Sequence, residues 1–545
     1  MSFPSLGLVH RSTVTGRRGM VAAGHPLACL AGMRLLLQGG NAVDAAVATA
    51  AALNVVEPYM SGIAGVGYLH LCLAGTAEHL ILDYIGLTPA AADIGLYDTE
   101  EARDRGPLSP LVPGACAGWL EALRRWGTVD AATAFAPAIE YALGGFPLTV
   151  RNSEFFAASA PDLQRFPAAR STYLPRGAPP HPGDILVQAD LARTLRQVAE
   201  GGEEFFYRGE FAGRLVRHLQ ETGGLMTDED LAGFRTRVLE PVEVDYRGYR
   251  VLAPPPPCQA VQFLETLNIL EGFDVAGMGH NTVQTLHVFL EATKLAMADR
   301  AAYAALPDPP TAGLLSREYA AQRRALIGER SRPTPGERFA RAVDAQEVGP
   351  GHPPAWRRDE CTTHFDVVDQ AGNAVAVTQS LGSGFGAGMV VPGTGVALNN
   401  FMRWFDLEPS SPNAVGPRKR IEMCLSPAMV RDGRGLRLLL GTPGSHGILQ
   451  TTPQMLMNVV DHGMNIQAAI EAPRAKTGRP GHGVDVETRI PAAVLAGLEE
   501  RGHQLFPAGD WSYTLGGGQG ITVDPDSGAF MGGADPRRDG YALGW

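Results

Sequence analysis

Two threonines, Thr362 and Thr363, stand at the head of an alternating run, and Ser380 closes the stretch that returns from it: DECTTHFDVVDQAGNAVAVTQS, residues 359–380. A hydroxyl in mid-chain is a weak nucleophile because nothing guarantees a base beside it. A threonine that becomes a chain terminus carries its own base, the freed α-amine, which titrates near neutrality at about 7.7–8.0. One cut in front of Thr362 would create nucleophile and base together. With the turn centred on Gln370-Ala371-Gly372-Asn373, Ser380 falls opposite Thr362 or Thr363 to within about one residue. A second hydroxyl then reaches the strand head. Further on, the apolar stretch Leu438–Leu440 runs into Gly441-Thr442-Pro443-Gly444-Ser445 and then a helical pattern. Free backbone N–H groups at such a turn can hold a developing oxyanion; the pattern of a phosphate loop is absent from it. Taken alone, these features have ordinary readings that local pattern favours: β-propensity for the threonine pair and a plain strand-to-helix turn for the loop.

The elements that would carry these residues follow from periodicity. From Pro26 to Val56 the text reads as two helices broken at Gly39-Gly40, followed by a Gly-rich turn and the strand-like GYLHLCLAG. Further helical patterns occur at AGWLEALRRWG, DLARTLRQVAEGG, EFAGRLVRHLQETGG and TVQTLHVFLEATKLAMADRAAYA. The part before Cys361 therefore reads as helix-rich. Between Gly328 and Glu360 the chain turns rich in Pro, Gly and charge with little periodicity, as in a loop or mobile linker. After it strands dominate, with Thr362 leading.

Bulk properties exclude several function classes. A net charge of −11 offers no basic stripe for nucleic acid. Six scattered cysteines form no C-x-x-C pair and no zinc-spaced cluster, so neither a metal nor another cofactor is expected and a reducing compartment fits. The N-terminal stretch lacks a continuous apolar region, and the longest apolar run, Ala45 to Val56, is too short to span a bilayer. A cytoplasmic protein with no membrane contact is the expectation.

TTHFDVVDQAGNAVAVTQS resembles the segment that opens the small subunit in the γ-glutamyltranspeptidase family of N-terminal-nucleophile hydrolases. Similar segments lie in order along nearly the whole chain, among them GGNAVDAAVATAAALNVVEP, VPGACAGWLEALRRWGT, GGLMTDEDLAGF, GPRKRIEMCLSPAMV, GTPGSHGI and GADPRRDGYALGW. The resemblance implies an α/β fold, a four-layer αββα sandwich built from two chains cut from one precursor. The cut falls between Cys361 and Thr362. Residues 1–361 would form a large subunit, the helix-rich part of the body, with a mobile tail from about 328 to 361. Residues 362–545 would form a small subunit carrying the catalytic sheet, and the two would stay together as a heterodimer, with further oligomerisation left open.

The resemblance also implies roles. Thr362 is the nucleophile for both self-cleavage at Cys361 and substrate attack; Ser380 occupies a position for a second hydroxyl that orients amine and nucleophile; Gly444 and Ser445 match the oxyanion-hole pair. Thr363 is expected to assist the precursor cut. His364 follows the nucleophile, but the α-amine does the base's work in this family, so a packed histidine is expected. Asn400, with Asn399, either hydrogen-bonds near the site or satisfies a turn.

The glutamate-binding positions depart from the family pattern. Ile85 stands where an arginine holds the α-carboxylate, and Phe401 and Trp404 stand where polar and acidic side chains hold the α-ammonium. Met423-Cys424 replaces a Ser-Ser pair, and Gly382 replaces an asparagine. Arg403, Arg418 and Arg420 remain nearby in sequence to meet a carboxylate elsewhere in the acyl group. The expectation is a self-processing amidohydrolase or acyltransferase for a small amide, with water or an amine as acceptor and a non-glutamyl acyl group. A true γ-glutamyl hydrolase or transpeptidase with relocated clamps is the second reading, and a processed but silent binding protein the third.

Overall fold

The computed structural model of the chain describes residues 10–333, 360–479 and 481–545. Of the expected tail, residues 334–359 lie outside the described residues. The chain divides into two compact units. A Thr362 unit comprises Thr15–Leu239, Asp359–Ile421 and Arg538–Trp545; a Gly444 unit comprises Met1–Val14, Glu240–Arg358 and Glu422–Arg537. Each unit draws residues from both sides of the Cys361–Thr362 bond, so a cut there would divide both.

In the Thr362 unit seven strands form one antiparallel sheet. Their order is Tyr541–Gly544, Gly19–Ala23, Glu360–Asp369, Ala374–Ser383, Val66–Leu73, Glu78–Asp83, Arg237–Leu239. By sequence pattern the part before Cys361 is helix-rich, with a strand-like stretch at GYLHLCLAG, and the sheet is led by Thr362; four of the seven strands come from before Cys361, and of these the pattern marked Val66–Leu73. The other three are only 3 to 6 residues long, too few alternations to stand out among long helices.

The alanine-rich run forms the helix Ala42–Val56, every residue of which is buried. A helix apolar all round belongs in a core. Asn41 and Asp44 close a capping box at its start, and the Ala42 N–H donates to Asp369 Oδ2 at 2.9 Å. That bond fastens the helix start to the turn end of the Thr362 strand. The preceding helix, Pro26–Leu37, packs against it. His25 Nδ1 caps its first turn, accepting from the Leu27 N–H at 3.2 Å, Pro26 sits at its first position, and the chain leaves it at Gly39, φ +93°, where the break was expected.

The sheet of the Gly444 unit runs in the order Phe530–Ala534, Gln519–Val523, Gly435–Gly441, Ala428–Asp432, Tyr249–Ala253, Val242–Tyr246. Helices Val261–Leu270 and Ile448–Val460 pack on it. No described helix is long and apolar enough to cross a membrane.

Candidate active site

The Thr362 strand is aimed by its turn. The Gly372 N–H donates to the Asp369 carbonyl at 3.0 Å with Gly372 at φ +87°, and Asp369 Oδ1 accepts from the N–H groups of Ala371 and Asn373 at 2.9 Å each. An Asx-type turn of this kind sets the register of the whole hairpin. Pairing is regular from Val368 opposite Ala374 to Thr363 opposite Gln379, and then slips: Cys361 pairs with Gly382. Ser380 and Leu381 therefore both fall opposite Thr362, a bulge beside the Cys361–Thr362 bond. On its other side the strand pairs with Gly19–Ala23 only from Phe365 onward, so its head is laddered on one edge.

Within this bulge the expected residues meet. Ser380 Oγ donates to the Cys361 carbonyl oxygen at 2.5 Å and accepts from the Gly382 N–H at 2.8 Å. The expected partner of Ser380 was the nucleophile and its amine; its partner here is the carbonyl that Thr362 would attack. Gly382 is at φ +104°, and a Cβ there would lie 2.1 Å from Asn400 Oδ1, so this position admits no asparagine side chain while Asn400 stays. Asn400 Oδ1 accepts from the Ser383 N–H at 2.9 Å, and its Nδ2 donates to Ser383 Oγ at 3.0 Å and to the Asp104 carbonyl at 2.7 Å. It closes a turn and stands beside the site at once.

Behind the strand head lies a group that local pattern did not single out. Thr363 Oγ1 donates to Glu57 Oε2 at 3.0 Å, and Arg538 Nη1 donates to the Thr362 carbonyl at 3.4 Å. Burial pushes the Glu57 carboxyl up to about 7, while Arg538 pulls it down and Asp539 pushes it up. Glu57 and Arg538 stood in the sequence only as parts of the matched segments VVEP and GADPRRDGY, with nothing to mark their meeting. His364 is fully buried, with Nδ1 2.9 Å from Thr378 Oγ1 and Nε2 3.1 Å from Asp366 Oδ1. Burial raises the Asp366 carboxyl and His364 pulls it back. The histidine is packed within its own pair of strands.

In the Gly444 unit, the strand Gly435–Gly441 leads into the expected loop, with Gly444 at φ +127° and Ser445 at φ +55°. A serine in the left-handed region is uncommon and marks local strain. Its buried Oγ has no hydrogen-bond partner among the described residues. The loop is braced by Thr442 Oγ1, which accepts from the Gly517 N–H at 2.9 Å. His446, next along, is held neutral by burial, with Arg300 and Lys476 adding to the effect.

Side chains of metal-binding type gather at His287, Glu291 and His503 in the same unit. The two histidines hydrogen-bond each other at 2.9 Å, and Glu291 already holds the Lys294 ammonium at 2.8 Å and the Arg332 N–H at 3.0 Å. A resident cation in the cluster argues for a structural network.

A family model for gamma-glutamyltranspeptidase matches residues 28–545. The chain belongs to the gamma-glutamyltranspeptidase family. It is 38% identical to the acylase ACY 1 proenzyme of Pseudomonas sp. (strain V22), over 97% of this chain and 94% of that one. It is 35% identical to the glutathione hydrolase proenzyme of Pseudomonas sp. (strain A14), over 98% and 96%. Its structure superposes on the cephalosporin acylase from Bacillus halodurans with a TM-score of 0.89 at 34% identity, covering 100% of this chain and 98% of that one. The α/β class expected from the sequence, that of the N-terminal-nucleophile hydrolases, holds, and the protein is an enzyme of this family.

At the positions where the sequence led us to expect the family's glutamate contacts to be replaced, Ile85 and Phe401 are 0% and 1% exposed and Trp404 is half-buried. The Ile85 main chain is tied on both sides: its N–H donates to Asp83 Oδ1 at 2.8 Å, and its carbonyl accepts from Arg420. Arg420 also lies 3.6 Å from Asp83 and donates to the Arg235 carbonyl at 3.0 Å. Its guanidinium is thus committed to holding the segment, against the expectation that it was available to a substrate carboxylate. Arg403 is buried with Nε 3.9 Å from Asp104 Oδ1, and Arg418 sits at φ +49°. Met423 and Cys424 lie buried in the Gly444 unit, where the Met423 carbonyl accepts from the Gln259 N–H at 2.7 Å.

Proposed function

We propose that the protein is a self-processing N-terminal-threonine amidohydrolase that cleaves an amide with a non-glutamyl acyl group through an acyl-enzyme. The observation that carries the reading is the Ser380 Oγ hydrogen bond to the Cys361 carbonyl oxygen, at a bulge opposite Thr362. A hydroxyl donor on that oxygen stabilises the charge that grows there when Thr362 Oγ attacks the Cys361 carbonyl carbon. The Thr362 nitrogen then leaves with a proton as the new α-amine, and water cleaves the resulting ester to free the Cys361 carboxylate. In turnover the amine takes the Thr362 hydroxyl proton, Oγ attacks the substrate amide, and the amine portion departs. Water, or a second amine, then releases the acyl group. The protein would work as two chains, residues 1–361 and 362–545, held together.

The acyl group follows from what the gamma-glutamyl pattern lacks here: Ile85 and Phe401 bring no charge to an α-carboxylate or α-ammonium. The test is the intact mass of the Thr362 chain after exposure to γ-glutamyl, glutaryl, oxamyl and plain aliphatic or aromatic amides, with release rates measured beside it. Losing two charged hydrogen bonds of about 1.5–3 kcal/mol each should leave γ-glutamyl donors roughly two to four decades below the best donor in kcat/KM. A γ-glutamyl donor that is best by a wide margin would return the chain to glutathione-type chemistry.

A further inference from the structure

Glu57 ends the helix Ala42–Val56 as its C-cap residue and is 3% exposed. Neighbouring side chains on a strand point to opposite faces, so Thr363, which Glu57 holds, turns away from the face that carries the Thr362 hydroxyl. Glu57 is therefore not the group that takes the Thr362 proton. What it grips is the Thr363 side chain, on the residue next to Thr362. Arg538 works from the same cluster, with Nη1 on the Thr362 carbonyl and Nε without a hydrogen-bond partner among the described residues. The cluster is closed: a Cβ on Gly24 would lie 2.7 Å from Glu57 Oε2 and 3.0 Å from Thr363 Oγ1.

We propose that Glu57 is a positioning residue for self-cleavage: through Thr363 it holds the Cys361–Thr362 peptide, beside the bulge, in the shape in which Thr362 Oγ reaches the Cys361 carbonyl, most firmly as a carboxylate. The inference rests on the self-processing reading above. A hydrogen bond to a carboxylate is about twice as strong as one to a neutral acid, and the ionised group also complements the Arg538 charge. The groups that face the carboxyl are Thr363 on the strand, Arg538 and Asp539 on the C-terminal segment, Cys29 on the helix Pro26–Leu37, and Tyr59. Burial raises the Cys29 thiol and the Tyr59 phenol, so both stay neutral at working pH. The carboxyl itself, pushed up to about 7, changes charge in the range in which an enzyme matures.

Maturation isolates this titration from that of the catalytic amine. In the precursor the Thr362 nitrogen is an amide, so the α-amine that shapes turnover does not yet exist. The experiment is full-length precursor made by cell-free translation and incubated across about pH 5.5 to 8.5, with conversion to two chains followed over time. The wild-type rate should rise through about pH 7; Glu57→Gln should be slower at about pH 8 by roughly tenfold or more and lose that rise, and Glu57→Asp should recover part of both. Melting separates position from stability. Because the folded carboxyl titrates above its ordinary value of 4.5, at about 7, its ionisation costs the fold stability as pH rises through that window. Glu57→Gln should accordingly melt no lower than wild type at about pH 8. A Gln variant that cuts at the wild-type rate with the same rise overturns the inference, as does one that melts well below wild type there. A wild-type chain never cut before Thr362 sinks the self-processing reading instead.

Discussion

At the head of the Thr362 hairpin, polar side chains are held by other polar groups at hydrogen-bonding distance: Ser380 bridges the Cys361 carbonyl and the Gly382 N–H, Asn400 spans Ser383 and Asp104, and Thr363 meets Glu57. The side chains of Ile85 and Phe401, in the same unit, carry no polar atom, and it is their main chain that is gripped, that of Ile85 by Asp83 and Arg420 and the Phe401 N–H by Asn399 Oδ1. The first arrangement is directional; moving any member by an ångström breaks a bond. The second is held by burial, which has no preferred direction. Chemistry that needs an oriented hydroxyl and a polarised carbonyl can survive in the first region while acyl preference drifts in the second, because replacing a charged clamp by an apolar residue leaves no buried group unsatisfied.

Removing the nucleophile from the directional region should have the largest effect. Thr362→Ala lacks the hydroxyl that attacks Cys361, so it should remain one chain. N-terminal sequencing of active wild-type protein that finds no threonine terminus would break the comparison at its root. An intermediate effect is expected from putting a charge into the apolar region. Ile85→Arg supplies the arginine that the sequence resemblance leads one to expect there, but the site is fully buried and the carboxylate that holds the Ile85 N–H, Asp83, already serves Arg237 and Arg420. An unpaired buried charge should cost about 3–5 kcal/mol, seen as a lowered melting midpoint with no gain of γ-glutamyl turnover. A well-folded Ile85→Arg that gains such turnover would show that the side chain reaches the acyl group. The smallest effect should come from Ser380→Ala. One hydrogen bond to the Cys361 carbonyl is lost, worth on the order of 1 kcal/mol, or more where it strengthens in the transition state, so maturation should slow by about tenfold with melting nearly unchanged. Maturation at the wild-type rate would remove Ser380 from the first cut.

What the sequence determined by itself is what short-range physics controls. The hairpin was legible because alternation has a period of two and the Asp369–Asn373 turn is local, so Ser380 could be brought to Thr362 by counting outward from Gly372. The capped helices were legible for the same reason, as was the Gly441–Ser445 turn with its two positive-φ residues. The tertiary structure alone decided the rest. Glu57 and Thr363 are separated by 306 positions and Arg538 and Thr362 by 176, and no local pattern marks such a meeting. Counting placed Ser380 opposite Thr362 or Thr363 but could not say which, nor which atom its hydroxyl would choose; a one-residue bulge set it opposite Thr362 with its hydroxyl on the Cys361 carbonyl. Nor, beyond the strand-like stretch at Val66–Leu73, could local pattern assign the first part's other sheet strands, since strands of 3 to 6 residues acquire their partners from distant segments. Long-range pairing is settled by which surfaces bury each other, and that information is spread over the whole chain.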